Sequence, residues 1–177
     1  MNKILVVVDM QNDFVDEALG TKEAQAIVGN VCNKIKNSDC DIIVTYDTHF
    51  ENYLETAEGR KLPVKHCIRE THGWQLNENV EAALLGKNVT RVEKLTFGST
   101  SLPEIIRSKY NTDNMEIELV GLCTDICVVS NALILKANFP EINISVDASC
   151  CAGVTVENHE AALKTMVSCQ IDVKESL

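Results

Sequence analysis

The chain of 177 residues is long enough for one domain with a full hydrophobic core and too short for two ordinary ones, so we expect a single domain over residues 1–177. Its 45% hydrophobic and 24% charged residues are typical of a soluble globular protein, and a formal net charge of -10 argues against a nucleic-acid partner bound through phosphates. The apolar run at residues 4–8 is shorter than a signal-peptide core, and no later run reaches membrane-spanning length. We therefore expect a cytoplasmic protein that binds neither nucleic acid nor membrane.

Predicted strands alternate with predicted helices along the whole chain. The strands are short apolar runs rich in β-branched residues, at residues 3–8, 41–46, 88–92, 117–120 and 142–146. The helices carry apolar residues on one face, at residues 21–35, 80–85, 102–110, 126–137 and 156–167. This alternation predicts an α/β fold, a three-layer α/β/α sandwich around a doubly wound, mainly parallel sheet of five to six strands.

Residues 48–73 form the one long segment with weak periodicity. The segment contains Gly59, Pro63 and three of the four histidines. Loops of this length in compact domains are usually functional, so we predict a functional loop here.

Polar or special residues follow the predicted strands. They are Asp9, Asp47, Lys94, the turn at Gly121, and Asp147. Ligands of parallel sheets bind beyond the carboxyl ends of the strands, where these five positions are expected to converge.

The segment 115–137, MEIELVGLCTDICVVSNALILKA, predicts a strand that runs through a tight turn into a helix. Thr124 and Asp125 stand where helix caps belong. Cys127 then falls in the first helical turn, where the helix dipole favours the thiolate and lowers the pKa of the thiol, a property of nucleophilic cysteines. The alternative is a buried cysteine that acts as a small hydrophobic residue.

A nucleophilic cysteine needs a group that takes its proton and later returns one, and Asp9 is the candidate. Lys94 could pair with Asp9 or stabilise an anionic intermediate. Taken singly, Asp9 is better explained as a turn cap and Lys94 as a solvated lysine, and the functional interpretation depends on their convergence with Cys127.

The eight cysteines do not suggest a disulfide framework, because such frameworks belong mainly to small secreted domains, and we expect free thiols. A zinc site of Cys123, Cys127, Cys150 and Cys151 is the alternative. Adjacent cysteines substitute poorly for the short Cys-x-x-Cys pairs of structural zinc sites, which disfavours it.

Three motifs give the sequence its resemblance to the isochorismatase-like cysteine hydrolases, and most of all to their nicotinamidase branch. They are VVDMQNDFV at 7–15 with ALG at 18–20, EKLTFGST at 93–100, and VGLCTDICV at 120–128. The stretches DASCCAG at 147–153 and ENHEAAL at 157–163 also match. The combination covers nearly the whole chain in order and is specific for the superfamily, but far less specific for the substrate.

The resemblance implies a catalytic triad of Asp9, Lys94 and Cys127. In such an enzyme Cys127 attacks an amide carbonyl, ammonia leaves with a proton from Asp9, and water hydrolyses the thioester. The resemblance also implies a cis peptide between Leu122 and Cys123, with the backbone amides of Cys123 and Cys127 forming the oxyanion hole. The resemblance implies a small amide as the substrate, with nicotinamide in NAD salvage as the first candidate. We also expect a homo-oligomer.

The long loop supplies a possible metal site. Asp47 and His49 are two residues apart and project the same way from an extended segment, and carboxylate plus imidazole ligands suit zinc, iron or manganese. Nicotinamidases bind a metal through such a loop, and the resemblance carries this role to Asp47, His49, Glu58 and His66. We expect one divalent ion, with zinc as the first choice, that takes the pyridine nitrogen of the substrate. His72 is left as a supporting or surface residue.

Two departures from the family pattern concern the substrate pocket. Residues 62–66, LPVKH, are one residue longer than the family's aromatic-Pro-Pro-His run and lack its aromatic residue. Leu62 would then form the pocket wall in place of the aromatic residue. The longer run also makes the position of His66 relative to the other metal-ligand candidates a question for the structure. Phe14 matches the family aromatic that lines the pocket.

Three other functions stay open at this stage. The first is an N-carbamoyl or ureido hydrolase of the same superfamily; such enzymes usually lack a full set of metal ligands, so the four ligand candidates here count against it. The second is an isochorismate-cleaving enzyme, which does not use the cysteine nucleophile, so the presence of Cys127 disfavours it. A non-catalytic binding protein on the same fold would not need to keep Asp9, Lys94 and Cys127 together.

Overall fold

The computed structural model describes residues 2–175. Its sheet has six strands, all parallel, in the order β3-β2-β1-β4-β5-β6. The strands are β1 Asn2–Val8, β2 Asp41–Asp47, β3 Val89–Lys94, β4 Met115–Leu122, β5 Asn143–Ala152 and β6 Asp172–Lys174. The α-helices are α1 Asn12–Val15, α2 Lys22–Lys36, α3 Ala57–Lys61, α4 Glu78–Ala83, α5 Leu102–Lys109, α6 Val129–Asn138 and α7 Val156–Ser168. The predicted α/β fold with a parallel sheet is confirmed.

Two hydrophobic cores lie on opposite faces of the sheet. Alternate residues of β1 divide between them: Leu5 and Val7 pack toward α2 and α4, whereas Ile4, Val6 and Val8 pack toward α5, α6 and α7. This division explains why β1 is a continuous apolar run rather than an alternating one, since both of its faces are buried. Among residues 2–175, no helix is long and apolar enough to cross a membrane.

The order in which successive strands are added to the sheet changes direction at β1 and β4, which are neighbours in the sheet. From β1 it proceeds to β2 and β3 on one side, and β4, β5 and β6 lie on the other. The carboxyl ends of β1 and β4 therefore form the topological switch point, where open α/β sheets bind their ligands.

Gly121 brings β1 and β4 together near these ends. It is the register partner of Val8 and has a φ of 119°. A Cβ atom at this position would lie 2.1 Å from the carbonyl oxygen of Val8. Glycine is therefore required both by the backbone angle and by the close approach of the neighbouring strand.

Several predicted boundaries differ from the structure. Strand β4 does not break at Gly121 but runs on to Leu122, and β5 continues past Asp147 to Ala152. The continuation is possible because the register between β4 and β5 shifts between Leu119 and Gly121. The segment 48–73 contains two short helical pieces, the 3₁₀ turn Tyr53–Glu55 and α3.

The placement of Asp147 at the functional edge of the sheet was wrong. Asp147 is fully buried within β5, 2.5 Å from the Nζ atom of Lys34 on α2, and it accepts a hydrogen bond from Ser149 Oγ at 2.7 Å. A buried carboxylate with a cation and a hydroxyl donor is compatible with the interior of a strand, so the charge did not mark the strand end.

The cysteines are free thiols, and all eight lie within the described part of the chain. Within residues 2–175, Cys123, Cys127, Cys150 and Cys151 do not form a group of candidate metal ligands, so the four-cysteine zinc site is not supported.

Candidate active site

Asp9, Lys94 and Cys127 meet beyond the carboxyl ends of three strands. Asp9 directly follows β1, Lys94 is the last residue of β3, and Cys127 lies in the helical turn Thr124–Val128 after β4. The Nζ atom of Lys94 is 2.7 Å from Asp9 Oδ2 and 3.6 Å from Cys127 Sγ. All three side chains are buried, with exposed fractions of 0%, 3% and 4%.

The backbone of Asp9 has a left-handed conformation, with φ of 47°. This conformation is uncommon outside glycine, and Asp and Asn tolerate it better than most residues. The side chain is fixed by Thr45 Oγ1, which donates to Asp9 Oδ1 at 2.6 Å, and by Lys94 on its other oxygen. The carboxylate is thus held toward the thiol of Cys127.

Burial is the main cause of the shifted pKa values of Asp9 and Cys127. It raises the pKa of Asp9 against the opposing effect of Lys94, and it raises the pKa of the Cys127 thiol, with the Asp9 carboxylate adding to the effect. Burial alone would lower the pKa of Lys94, but the negative charges of Asp9 and Asp47 outweigh it and raise that pKa. Lys94 is therefore a fixed cation between acidic partners.

The prediction that the helix dipole gives Cys127 a low pKa was wrong. The thiol is enclosed and lies next to a carboxylate, and both features favour the neutral form more strongly than the first turn of a helix favours the thiolate. Cys127 consequently needs a base to become nucleophilic, and the neighbouring Asp9 carboxylate is the candidate.

The predicted caps Thr124 and Asp125 have other roles. The N-cap of the turn is Cys123, without a side-chain cap hydrogen bond. Instead Thr124 Oγ1 lies 2.8 Å from His159 Nδ1 on α7, and Asp125 Oδ1 accepts the amide of Val154 at 3.0 Å. These contacts tie the cysteine-bearing turn to the segment that follows β5.

Cys123 precedes this turn and lines the same cavity as Cys127. The peptide bond between Leu122 and Cys123 is cis, as the family resemblance implied. Burial raises the pKa of the Cys123 thiol to about 12, so this side chain stays protonated at neutral pH.

The four predicted metal ligands come together beside the triad. Asp47, His49, Glu58 and His66 each offer a ligand atom, and these atoms lie within 4.8 Å of one another. The Nε2 atom of His49 is 3.0 Å from Asp47 Oδ2, and the Nε2 atom of His66 is 3.6 Å from Glu58 Oε1. Lys94 Nζ, 3.0 Å from Asp47 Oδ1, connects this cluster to Asp9.

The structure gives two reasons why this cluster fits a divalent metal ion. The Nε2 atom of His49 is buried but makes no hydrogen bond of good geometry, even though the Asp47 carboxylate is near. The Nδ1 atom of His66 lies 2.8 Å from the carbonyl oxygen of Val64, an arrangement that orients the ring with Nε2 toward the cluster. Mixed imidazole and carboxylate donors suit zinc, iron or manganese.

The extra residue before His66 does not keep it from the cluster. The His66 and His49 rings are 4.8 Å apart between centroids, and Tyr53 packs edge-on against both at 5.0 and 4.7 Å. Tyr53, fully buried, was not identified from the sequence. Its hydroxyl donates to the carbonyl oxygen of Leu62 at 2.9 Å and so holds the start of the longer run.

Gln11 and Asp13 also escaped prediction, although they lie inside the VVDMQNDFV motif. The Gln11 amide is buried, donates to the Asp47 carbonyl oxygen at 2.8 Å and accepts the Asp47 amide at 2.7 Å. Asp13 Oδ2 accepts the amide of Cys67, which follows His66, at 2.7 Å. Both side chains hold the backbone of a candidate metal ligand or of its neighbour. Two polar residues on a segment after a buried strand were the available signal.

A cavity of about 610 Å³ opens above these groups. Asp47, Glu58, His66 and Cys127 line its polar part, and Phe14 and Leu62 contribute to its apolar walls. His72 is outside this cavity: its Nδ1 atom is 2.7 Å from Glu17 Oε1 in an exposed pair.

The chain is similar to several known proteins in sequence and in fold. The isochorismatase domain model matches residues 3–175. The nicotinamidase of Saccharomyces cerevisiae is 26% identical over 176 residues, which cover 74% of this chain and 80% of that protein. The crystal structure of nicotinamidase PncA from Bacillus subtilis superposes with a TM-score of 0.84 at 25% identity, covering 99% of this chain and 100% of that one. A pyrazinamidase of Pyrococcus horikoshii, solved in complex with zinc, has a TM-score of 0.77 at 25% identity and covers 99% of this chain and 100% of its own.

The chain therefore belongs to the isochorismatase family, as its three motifs indicated. Within that family it is a nicotinamidase-like hydrolase.

Proposed function

We propose that this chain is an amidohydrolase that cleaves the C–N bond of nicotinamide, giving nicotinate and ammonia through an acyl-enzyme on Cys127. The observation that carries the proposal is the buried contact of Lys94 with Asp9 and Cys127, next to a cluster of four candidate metal ligands that Lys94 also touches through Asp47. Cys127 and three of these ligands line one cavity. The nicotinamidases among its relatives support the choice of substrate.

Acylation begins from a neutral thiol. Because burial raises the pKa of Cys127, the thiol keeps its proton until Asp9 accepts it during the attack on the carbonyl carbon. The raised pKa of Asp9 makes it a stronger base than an exposed carboxylate. A bond forms between Sγ and the carbonyl carbon, Asp9 gives its proton to the amide nitrogen, and the C–N bond breaks so that the nitrogen leaves as ammonia.

Deacylation uses the same groups in the reverse order. Asp9, again a carboxylate, takes a proton from a water molecule whose oxygen attacks the thioester carbon. The C–S bond breaks, the sulfur recovers the proton from Asp9, and nicotinic acid leaves and releases a proton to the solvent to give nicotinate. The enzyme returns to its starting protonation state.

Lys94 keeps the acid–base group in place. Its ammonium group lies between Asp9, Asp47 and the sulfur, so it balances the carboxylates and the negative charge that develops on sulfur. The backbone amides of Cys123 and Cys127 are our candidates for stabilising the oxyanion. Removal of one such donor typically costs on the order of a hundredfold or more in rate.

Asp47, His49, Glu58 and His66 would hold one divalent ion, with zinc as the first choice. When bound, the ion supplies a Lewis acid that accepts the pyridine nitrogen of the substrate. Phe14, whose ring centroid is 5.5 Å from that of His66, can pack against the pyridine ring and limit its tilt.

The test compares ammonia release from nicotinamide by the wild type and by Cys127→Ala, with Cys169→Ala as the matched control because Cys169 is an exposed thiol. We expect loss of turnover in Cys127→Ala and unchanged turnover in the control. Mass spectrometry of the wild type quenched during turnover should detect a nicotinoyl adduct on the peptide that contains Cys127. Appreciable turnover by Cys127→Ala would remove Cys127 as the nucleophile.

A further inference from the structure

The cavity is larger than a pyridine carboxamide requires. Its volume is about 610 Å³. Nicotinamide fills at most ~300 Å³, even if each of its non-hydrogen atoms is given the ~30 Å³ that a water molecule occupies in the liquid. Roughly half of the cavity therefore remains free when the amide lies at Cys127 and the ring nitrogen at the metal-ligand cluster.

Four apolar side chains of the cavity wall are also exposed to solvent and so stand at its entrance, and we call them the apolar mouth. These are Leu62, Leu95, Phe97 and Val154, which line the cavity and are 38%, 65%, 46% and 47% exposed. Single exposed apolar side chains are common, but several around one opening mark a binding surface.

One wall of the apolar mouth is fixed against α6. The amide of Ser99 donates to Asn131 Oδ1 at 2.9 Å, and Asn131 is fully buried. At Gly98 a Cβ atom would lie 2.5 Å from Ile134 Cδ1, so the backbone of this loop packs directly on the helix. The segment that carries Leu95 and Phe97 is therefore anchored a few residues from both side chains.

The other two walls are fixed in the same manner. The carbonyl oxygen of Leu62 accepts from the hydroxyl of Tyr53 at 2.9 Å, and the amide of Val154 donates to Asp125 Oδ1 at 3.0 Å. Because it is anchored on three sides, the apolar mouth is preformed. A ligand large enough to reach it can bury these side chains without first ordering them, which lowers the entropic cost of binding.

From this geometry we propose that the apolar mouth is a subsite for an alkyl or aryl substituent on the ring of the amide substrate. The proposal rests on the proposed function, because that function fixes the two ends of the ring. Ring carbon 5 is the one ring carbon adjacent to neither the carboxamide-bearing carbon nor the ring nitrogen, so a group on it points away from both Cys127 and the metal-ligand cluster and toward the entrance. The preferred substrates would be pyridine carboxamides with an apolar group at this carbon.

The test measures kcat/KM for 5-butylnicotinamide and for nicotinamide. Each fully buried methylene raises affinity about fourfold, and because the mouth stays partly open we expect roughly a tenfold preference for the butyl compound. In the double variant Leu95→Ser/Phe97→Ser this ratio should fall toward one. Leu85→Ser, an exposed leucine outside this cavity, is the matched control and should keep the wild-type ratio.

A second measurement keeps the subsite testable without turnover. Calorimetric titration of metal-loaded Cys127→Ala should give about tenfold tighter binding of 5-butylnicotinamide than of nicotinamide. Normal hydrolysis of nicotinamide with a ratio at or below one would overturn the subsite and leave the proposed function standing. Absence of nicotinamide hydrolysis by the metal-loaded wild type would overturn the proposed function, while the titration would still decide the subsite. A double variant that changes oligomeric state and keeps the substrate ratio would identify the mouth as a contact between copies instead.

Discussion

Asp9→Asn should separate catalysis from stability more cleanly than any other change at this site. Asparagine has nearly the same shape as aspartate and tolerates the left-handed backbone of residue 9, and its oxygen can still accept from Thr45. The substitution removes only the charge and the proton acceptor. Lys94→Met is the informative comparison, because it removes the cation and leaves Asp9 and Asp47 in place.

The surrounding charges predict different effects of Asp9→Asn and Lys94→Met on the free energy of unfolding. After Asp9→Asn, Lys94 still pairs with Asp47 at 3.0 Å, and no buried group loses its only ionic partner. Because burial raises the pKa of Asp9, its charged form is disfavoured in the folded state, and its neutral replacement should not lower the free energy of unfolding at pH 7. Lys94→Met removes the cation that lies 2.7 Å from Asp9, and an uncompensated buried charge costs about 3–5 kcal/mol.

Catalysis should be lost in both variants. Groups that act as a unit each account for nearly the whole effect, so we expect a fall in the turnover of nicotinamide on the order of 10³-fold or more for Asp9→Asn. Unfolding by urea, measured after removal of divalent ions, reports stability, and ammonia release by the metal-loaded proteins reports activity. Asp113→Asn, at an exposed aspartate, is the control for both. If Asp9→Asn loses as much stability as Lys94→Met, or keeps a tenth of wild-type activity, the assignment of Asp9 as a buried base is refuted.

Other changes test separate parts of the site. Cys123→Ala should keep most of the ammonia release, because Cys123 is proposed to act through its backbone, and complete loss in a folded variant would contradict that role. Chelation of the metal should abolish nicotinamide hydrolysis with a smaller loss of thermal stability. The enzyme reloaded with metal should hydrolyse benzamide, which lacks the ring nitrogen, far more slowly than nicotinamide. Equal hydrolysis of both amides without metal would refute the metal site. Gln11→Ala should weaken metal binding by about 10–100-fold in a chelator competition, as for other residues that orient ligands. Glu118→Gln should lower the free energy of unfolding at pH 7, because the charges of Lys3, Lys34 and Lys174 outweigh burial and lower the pKa of Glu118. This stabilisation is present above the ordinary pKa of 4.5 and is lost as the pH falls through the lowered pKa. The free energies of unfolding of wild type and variant should therefore converge in acid.

The sheet and most helices could be predicted from the sequence because their physical cause is local. A β-branched apolar run such as β1 fits only a strand buried on both faces, and the apolar face of α2 recurs with helical spacing. Strand ends were harder to predict. Asp147 resembles a strand terminator until Lys34, more than a hundred residues earlier in the chain, is found beside it.

The candidate site could be predicted in its residues but not in its electrostatics. The motifs predicted Asp9, Lys94 and Cys127, the resemblance of the long loop predicted the four metal-ligand candidates, and the structure brings them together. The pKa of Cys127 could not be predicted, because it depends on how fully the thiol is enclosed and on its distance from Asp9. Gln11 and Asp13 were missed for a related reason, since their partners are backbone groups of distant segments that no side-chain pattern records.

The close contact of Gly121 with Val8 has a consequence for mutational surveys of this chain. Any side chain at residue 121 must push β4 away from β1, and with it the turn that carries Cys127 away from Asp9. A saturation screen scored by enzyme activity would therefore rank this position with the chemical groups, although it contributes no functional atom. A screen scored by the amount of folded protein would reveal the difference, because the loss at Gly121 should appear in both screens, whereas the loss at Cys127 should appear only in the first.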